Sequence, residues 1–267
     1  MRIKELFDLK NRVAIITGSS SGLGYDMAEG LADAGSNVVI AARRYDLCRK
    51  IADDFHEKYG VDALALKVDV AQEEDISEMV AQTIDHFGKI DILVNNVGKA
   101  NFKDTRKTSL SEWNEIMALN VSSMFLCCRE AGAHMMEKRY GKIINIASVY
   151  GIRGIDWRNY VTPEKTRELL SYSTSKGAVI NFTRDLAVNW ARYNITVNTI
   201  SPGCFFTEET RRFTDNYTIE KLKYRFPLGR WGDNDDLKGA VVFLASDASK
   251  YVTGHNLVVD GGWSAWC

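Results

Sequence analysis

Proline is scarce, with three in 267 residues. With so few breakers and no low-complexity stretch there is no candidate linker, and residues 1–267 read as one domain. Cysteine is sparse and unpaired. Cys48, Cys127, Cys128, Cys204 and Cys267 make an odd number, none in a Cys-x-x-Cys spacing. That argues against a disulfide framework and reads as reduced thiols in a cytoplasmic protein. The four histidines (His56, His86, His134, His255) are scattered, so no metal site is expected. No apolar run approaches the roughly 20 residues that cross a bilayer, and residues 1–10 are too charged for a secretory leader. Neither sign of charge is in excess: 34 basic side chains face 35 acidic ones. Such a balance gives no hold on nucleic acid or an anionic membrane.

What is present is an alternation of strand-like and helix-like stretches, with 45% apolar residues to build a core. Residues 12–17 (RVAIIT) read as a buried strand. Gly18-Ser19-Ser20-Ser21-Gly22-Leu23-Gly24 follows, and then a helix to Ala34. Strand, glycine turn and helix together present free backbone N–H groups and a helix N-terminus to a pyrophosphate. The spacing G-x-x-x-G-x-G differs from G-x-G-x-x-G, and the bland alternative is a structural turn. Residues 37–42 form the second strand, followed by Arg43 and Arg44, with no carboxylate until Asp46. An acid at this place holds the ribose hydroxyls of NAD, whereas arginine accommodates the 2′-phosphate of NADP. The pair therefore favours NADP, against two solvated surface arginines.

Residues 45–59 and 73–87 read as helices around a strand at 62–68, which ends in Asp69-Val70. Residues 91–94 form a strand ending in Asn95-Asn96-Val97-Gly98, whose amides suit pinning adjacent backbone or simple turn chemistry. Ser109 and Glu112 have capping-box spacing at the start of a helix that runs to about Lys138. Asn120 lies inside it, a poor helix former that suggests a distortion with polar bonds. The strand at 141–147 delivers Ser148 at its carboxyl end, where open parallel sheets bind ligands. Residues 151–170 lack periodicity. A helix then runs to about Tyr193, and residues 195–200 form a strand that Pro202-Gly203 breaks. Residues 203–231, polar and aromatic, suggest a lid. A helix at 233–245 and a strand ending at 257–259 complete the chain. Regular alternation of this kind means a Rossmann-type, doubly wound parallel sheet with helices on both faces.

Tyr172 and Lys176 stand four apart. On a helix both share one face, about 6 Å apart along the axis. The ammonium favours phenolate and lowers a pKa that is ordinarily near 10. A tyrosine tuned in this way passes a proton to or from a substrate oxygen near neutral pH. Spacing alone decides nothing, since eleven tyrosines supply about one such pair by chance, and Tyr217 with Lys221 is a second. Context separates them: Tyr172 follows the strand that delivers Ser148, and Tyr217 sits in the expected lid.

Together Thr17-Gly18-x-x-x-Gly22-x-Gly24, Asp69, Asn95-Asn96-x-Gly98, Asn120, Ser148, Tyr172-x-x-x-Lys176 and Pro202-Gly203 resemble the short-chain dehydrogenase/reductase family over nearly the whole chain. Both ends most resemble its gluconate 5-dehydrogenase-like sugar-acid and polyol dehydrogenases. The resemblance implies about seven strands and a homo-oligomer, tetramer or dimer, built on the two long helices. It implies Tyr172 as general acid/base and Ser148 as holder of the substrate oxygen. Lys176 would tune Tyr172 and bond the nicotinamide ribose, and Asn120 would hold a water in a proton relay. For the cofactor it implies Gly18, Ser20, Ser21, Gly22, Leu23, Gly24, Arg43, Arg44, Asp69, Val70, Asn96, Gly98, Pro202 and Gly203, besides Tyr172 and Lys176. Two features depart from the pattern. Val97 stands where the family has a smaller residue. Ser148 and Tyr172 are 24 positions apart, about eleven more than is usual, an insertion of the kind that covers sites. Arg153, Trp157, Arg158, Tyr160 and Lys165 are its candidate lining, with arginine suited to clamp a carboxylate or phosphate; a solvated loop is the alternative.

The expectation is an oxidoreductase that interconverts a secondary alcohol and a ketone on a small polar substrate such as a sugar, sugar acid or polyol. NADP is preferred and NAD remains possible. A 3-oxoacyl thioester reductase is the alternative enzyme, and a non-catalytic NADP-binding sensor or scaffold the alternative of another class.

Overall fold

The β-branched runs pair side by side in one direction. The computed structural model describes residues 1–156, 168–214 and 216–266. Within them β1 (Val13–Thr17), β2 (Asn37–Ala42), β3 (Ala63–Lys67), β4 (Ile92–Asn95), β5 (Gly141–Ile146), β6 (Ile195–Pro202) and β7 (Asn256–Val259) form one sheet. Its order is β3-β2-β1-β4-β5-β6-β7, and every pairing is parallel. The chain winds outward from β1 in one direction and from β4 in the other. The crevice between them is the topological switch point, where open α/β sheets bind ligands.

After a short helix, α1 (Ile3–Leu6), the major helices are α2 (Gly22–Asp33), α3 (Tyr45–Tyr59), α4 (Glu73–Phe87), α5 (Leu110–Met117), α6 (Ser123–Lys138), α7 (Leu170–Trp190) and α10 (Lys238–Ala245), with α8 (Glu208–Phe213) and α9 (Asn216–Lys223) between α7 and α10. Strand alternation divides the core in two. Ile16, Ile40, Val94 and Ile144 pack with α2, α3 and α10 through Met27, Phe55 and Val241. Ile15, Val39, Leu93 and Ile143 pack with α4, α6 and α7 through Met79, Met135 and Val179. Each such side chain contributes about 1.5–3 kcal/mol on burial. The central strands read as unbroken apolar runs because both of their faces are covered.

α3 and α4 occupy the expected residues. Three boundaries differ for physical reasons. The long helix after Ser109 starts with the expected capping box, but it is interrupted by a π turn at Ala118–Ser122. The strand β6 runs through Pro202 instead of ending before it. There Pro202 lies on the side facing β5, which has already ended at Ile146, so its missing N–H leaves no ladder bond unmade. Gly203 N then donates to Val259 O. The expected helix at 233–245 starts only at Lys238. Asp233 and Asp236 accept bonds from the N–H groups of Asp235 and Asp233, and such side-chain bonds compete with helix.

On α2, Asp26 is buried. Burial pushes its carboxyl up to about 6; Lys238 opposes the shift, and Glu29, Asp235 and Asp233 add to it. The folded chain therefore holds this proton more tightly than the unfolded chain, and stability is lost as pH rises through 6. Asp26→Asn is expected to stabilise the protein by on the order of 2 kcal/mol at pH 8. In urea denaturation the advantage should shrink below pH 6 and vanish near the ordinary aspartate value.

Candidate active site

The sheet is parallel throughout, so the carboxyl ends of β1 to β6 carry the expected loop residues to one edge of it. At β1 the glycine loop is stitched from both sides. Asn96 N donates to Thr17 Oγ1 (3.1 Å), and Asn96 Nδ2 donates to Thr17 O (3.1 Å) and Gly18 O (3.3 Å). Ser19 Oγ donates to Ile16 O and accepts from Ala41 N. Gly24 has no room for a side chain: a Cβ there would overlap Gly18 O and stand 2.5 Å from Asn96 Nδ2. That close approach lets α2 start directly on the strand. Its N-cap, Ser21, makes no side-chain capping bond, and the first turn carries no acid. The loop thus offers an anion the positive end of a helix.

Arg44 lies over this loop. Its Nη2 donates to Ser21 Oγ (2.6 Å) and Ser20 Oγ (3.0 Å). Arg43, beside it, is exposed. Two hydroxyls, a guanidinium and uncapped helix N–H groups form a donor set that fits a dinucleotide with a 2′-phosphate. Leu23 packs into the core behind the loop, and Val97 Cγ2 closes on Gly18 from the other side. Asp69 Oδ1 accepts from Ala71 N, while Asp69 N donates to Asp75; Val70 is buried. Gly98 lies against the Lys176 ammonium, where a Cβ would stand 3.0 Å from Nζ.

At β5, Ser148 is the N-cap of a tight turn, Val149–Gly151, and its Oγ accepts from Tyr150 N (3.2 Å). This turn sits on the backbone of α7. A Cβ on Gly151 would stand 2.7 Å from both the carbonyl carbon and oxygen of Lys176, so only glycine permits the contact. Lys176 is buried, and its Nζ donates to Ile146 O (2.7 Å). Burial pushes its pKa down to about 8. The ammonium is 5.7 Å from the centre of the Tyr172 ring, so the two do share one helix face, and Tyr172 is half-buried.

The π turn explains Asn120. It aims the buried side chain inward, where Oδ1 accepts from Lys99 N (2.8 Å) and Nδ2 donates to Lys99 O (3.0 Å) and Ser175 Oγ (2.9 Å). Ser175 Oγ donates in turn to Tyr172 O (2.7 Å). Ser175 was not singled out in the sequence, although its place before Lys176 on the buried face was a signal. Nor was Asn145. Its Oδ1 accepts from Asn95 Nδ2 and its Nδ2 donates to Thr183 Oγ1, both at 2.9 Å, which ties β4 and β5 to α7.

The candidate substrate residues fall differently. Arg153 Nη1 donates to the carbonyls of Trp263 (2.9 Å) and Trp266 (2.8 Å). Trp157, Arg158, Tyr160 and Lys165 lie outside the described residues. The segment expected as a lid forms α8 and α9, and Ile219, Leu222, Phe226 and Trp231 give it a small core of its own. Among the described residues no group of His, Cys, Asp and Glu is placed to hold a metal. No helix there is long and apolar enough to cross a membrane.

A family model described as enoyl-(acyl carrier protein) reductase matches residues 18–264. The chain is 37% identical to 2-dehydro-3-deoxy-D-gluconate 5-dehydrogenase of Dickeya dadantii (strain 3937), covering 98% of this chain and 99% of that one. Among solved structures it superposes on a short-chain type dehydrogenase/reductase from Mycobacterium marinum with a TM-score of 0.91 at 33% identity, over 99% of this chain and 100% of that one. It superposes equally on a gluconate 5-dehydrogenase from Burkholderia cenocepacia J2315 in complex with NADP and tartrate. There the TM-score is 0.90 at 34% identity, with both chains covered in full.

Gly151→Ala is expected to push the Ser148 turn off α7 and cut turnover by about a hundredfold, the effect of a misplacement near 1 Å. Binding of NADPH at the glycine loop should be little changed. Steady-state rates and a cofactor titration on the same preparation check this.

Proposed function

The chain belongs to the short-chain dehydrogenase/reductase family, and from that we propose that it interconverts a secondary alcohol and a ketone at the carbon bearing the oxygen, with NADP as cofactor and a sugar acid of the gluconate type as substrate. One observation carries the reading. The Lys176 ammonium is held on Ile146 O at the end of β5, 5.7 Å from the Tyr172 ring and next to the strand end that bears Ser148. The nicotinamide, when bound, supplies or takes the hydride. The chain supplies the rest. Tyr172 gives or takes the proton at the substrate oxygen. Ser148, whose Oγ accepts from Tyr150 N, directs its own proton to that same oxygen. Lys176 favours the phenolate by its charge. Asn120 and Ser175 hold the helical turn between them, and Asn120 would order a relay water through the acceptor capacity left on Oδ1. Gly18, Ser20, Ser21, Gly22, Leu23 and Gly24, with Arg43 and Arg44, hold the phosphates. Asp69, Val70 and Asn96 border the adenosine half, while Gly98, Lys176, Pro202 and Gly203 border the nicotinamide half.

The substrate class rests on the relatives, whose names place their chemistry at the 5 position of gluconate-type acids. A second reading, a 3-oxoacyl thioester reductase, is favoured by a relative of that activity, 34% identical over 95% of this chain. Acetoacetyl thioester tested beside 5-keto-D-gluconate separates the two. A cytoplasmic location is supported by the buried thiols of Cys48, Cys127 and Cys128, none of them in a disulfide. Assembly as a homo-oligomer, tetramer or dimer, is supported by exposed apolar side chains on the long helices, Phe125 on α6 and Val188 on α7.

Parallel fluorescence titrations with NADPH and NADH test the cofactor. Arg44→Ala is expected to weaken NADPH by about tenfold or more, the effect of losing charged hydrogen bonds, and to leave NADH unchanged. Arg43→Ala should have the smaller effect. Equal loss of both cofactors would count against the 2′-phosphate reading. Tyr172→Phe should keep NADPH binding and lower turnover by about 10²–10⁴. A wild-type protein that binds NADPH and turns over neither panel would favour a sensor or scaffold.

A further inference from the structure

Three segments far apart in sequence meet beside Ser148 and form a closed circuit. The first is residues 148–156. The second is residues 225–226, just after α9. The third is residues 260–266, beyond β7. Arg153 Nη1 joins the first to the third through the carbonyls of Trp263 (2.9 Å) and Trp266 (2.8 Å). Trp266 Nε1 donates to Arg225 O (2.9 Å), joining the third to the second. Arg225 Nη2 pairs with Asp156 Oδ2 (3.1 Å), which returns to the first.

The ring of Trp263 fills the middle. It meets Tyr150 edge-on with centroids 5.6 Å apart and Phe226 edge-on at 5.4 Å. The third segment is preformed, because Asp260 accepts from Gly262 N (2.9 Å) and Ser264 N (2.7 Å). The circuit reaches the chemistry through one residue, since Tyr150 packs on Trp263 and its N–H donates to Ser148 Oγ (3.2 Å).

We propose that Arg153 is a positioning residue: it latches residues 263–266 against the Ser148 turn, so that the C-terminal segment and the α9 segment together form a fixed wall beside Ser148. Arg153 is exposed, yet its Nη1 carries two charge-assisted bonds to main-chain carbonyls, a geometry that holds chain. Releasing Trp263 frees the Tyr150 ring and, through it, the N–H that orients the Ser148 hydroxyl. The role in turnover rests on the oxidoreductase reading above; the latch itself rests on the contacts alone.

Amide hydrogen exchange by mass spectrometry tests the latch independently of turnover. In Arg153→Ala, exchange is expected to rise in residues 149–156, 222–228 and 260–266, with the glycine loop at 18–24 unchanged. NADPH affinity should hold. The kcat/KM for 5-keto-D-gluconate should fall by about tenfold, the effect of one charge-assisted hydrogen bond. Arg153→Lys, which presents several donors from one nitrogen, should restore part of both readouts. Trp266→Phe, which removes only the indole donation to Arg225 O, should raise exchange in 222–228 and leave 149–156 nearer the wild type. Unchanged exchange in all three segments of Arg153→Ala overturns the latch whatever the rates show. A wild-type kcat/KM with raised exchange overturns the positioning role. Raised exchange in a protein that never turns over a sugar acid leaves the latch standing and tells against the substrate.

Discussion

An ammonium taken out of water is costly unless a partner compensates it, and the buried Lys176 meets that requirement with one carbonyl, Ile146 O. Much of the site follows from this bond. It requires the end of β5 and the middle of α7 to touch. The contact is possible because Gly151 has no side chain where the turn after Ser148 meets the Lys176 backbone. The same contact brings Ser148 to the helix face that carries Tyr172. Burial also lowers the proton affinity of Lys176 towards neutrality, so its charge responds to its surroundings.

Two adjacent asparagines divide the support of the two halves. Asn95 points into the sheet and, through Asn145 and Thr183, ties β4 and β5 to α7. Asn96 points the other way and holds the carbonyls of Thr17 and Gly18. The glycine loop and α7 are therefore braced from one strand end at the switch point. Asn120 adds a third brace. A straight α-helix would turn its amide out of register. The π turn places it on Lys99, directly after Gly98, and on Ser175, directly before Lys176. Each bond lowers the cost of burying these amides, and Asn95 Oδ1 is the member of the network left without a partner among the described residues. The strand end, the helix distortion and the first turns of α7 thus depend on one another.

The sequence was legible where the physics is local. Apolar runs, glycine turns and capping residues act within a few positions, so α3, α4, the capping box at Ser109 and the strand cores were readable. Boundaries went wrong where a distant or competing bond decided them. Pro202 stays in β6 because its neighbour β5 has already ended, and the aspartates at 233 and 236 bind backbone that would otherwise be helical. Arg153 suggested a clamp for a substrate anion by its charge and its place near Ser148. The structure gives its Nη1 to two carbonyls more than a hundred positions away, a pairing that no local pattern encodes.

By itself the sequence determined the class of architecture, the order of the motifs and the pairing of Tyr172 with Lys176 on one helix face. Periodicity sets which faces are buried, and order along an alternating chain sets which strand ends deliver polar groups. Tertiary structure alone decided which of two neighbouring arginines lies over the glycine loop, that Ser175 and Asn145 brace α7, and that residues 263–266 close on the Ser148 turn. Those outcomes depend on distances between segments that are remote along the chain. Such distances are set by how two helical layers pack on a twisted sheet, and a one-dimensional pattern carries no measure of them.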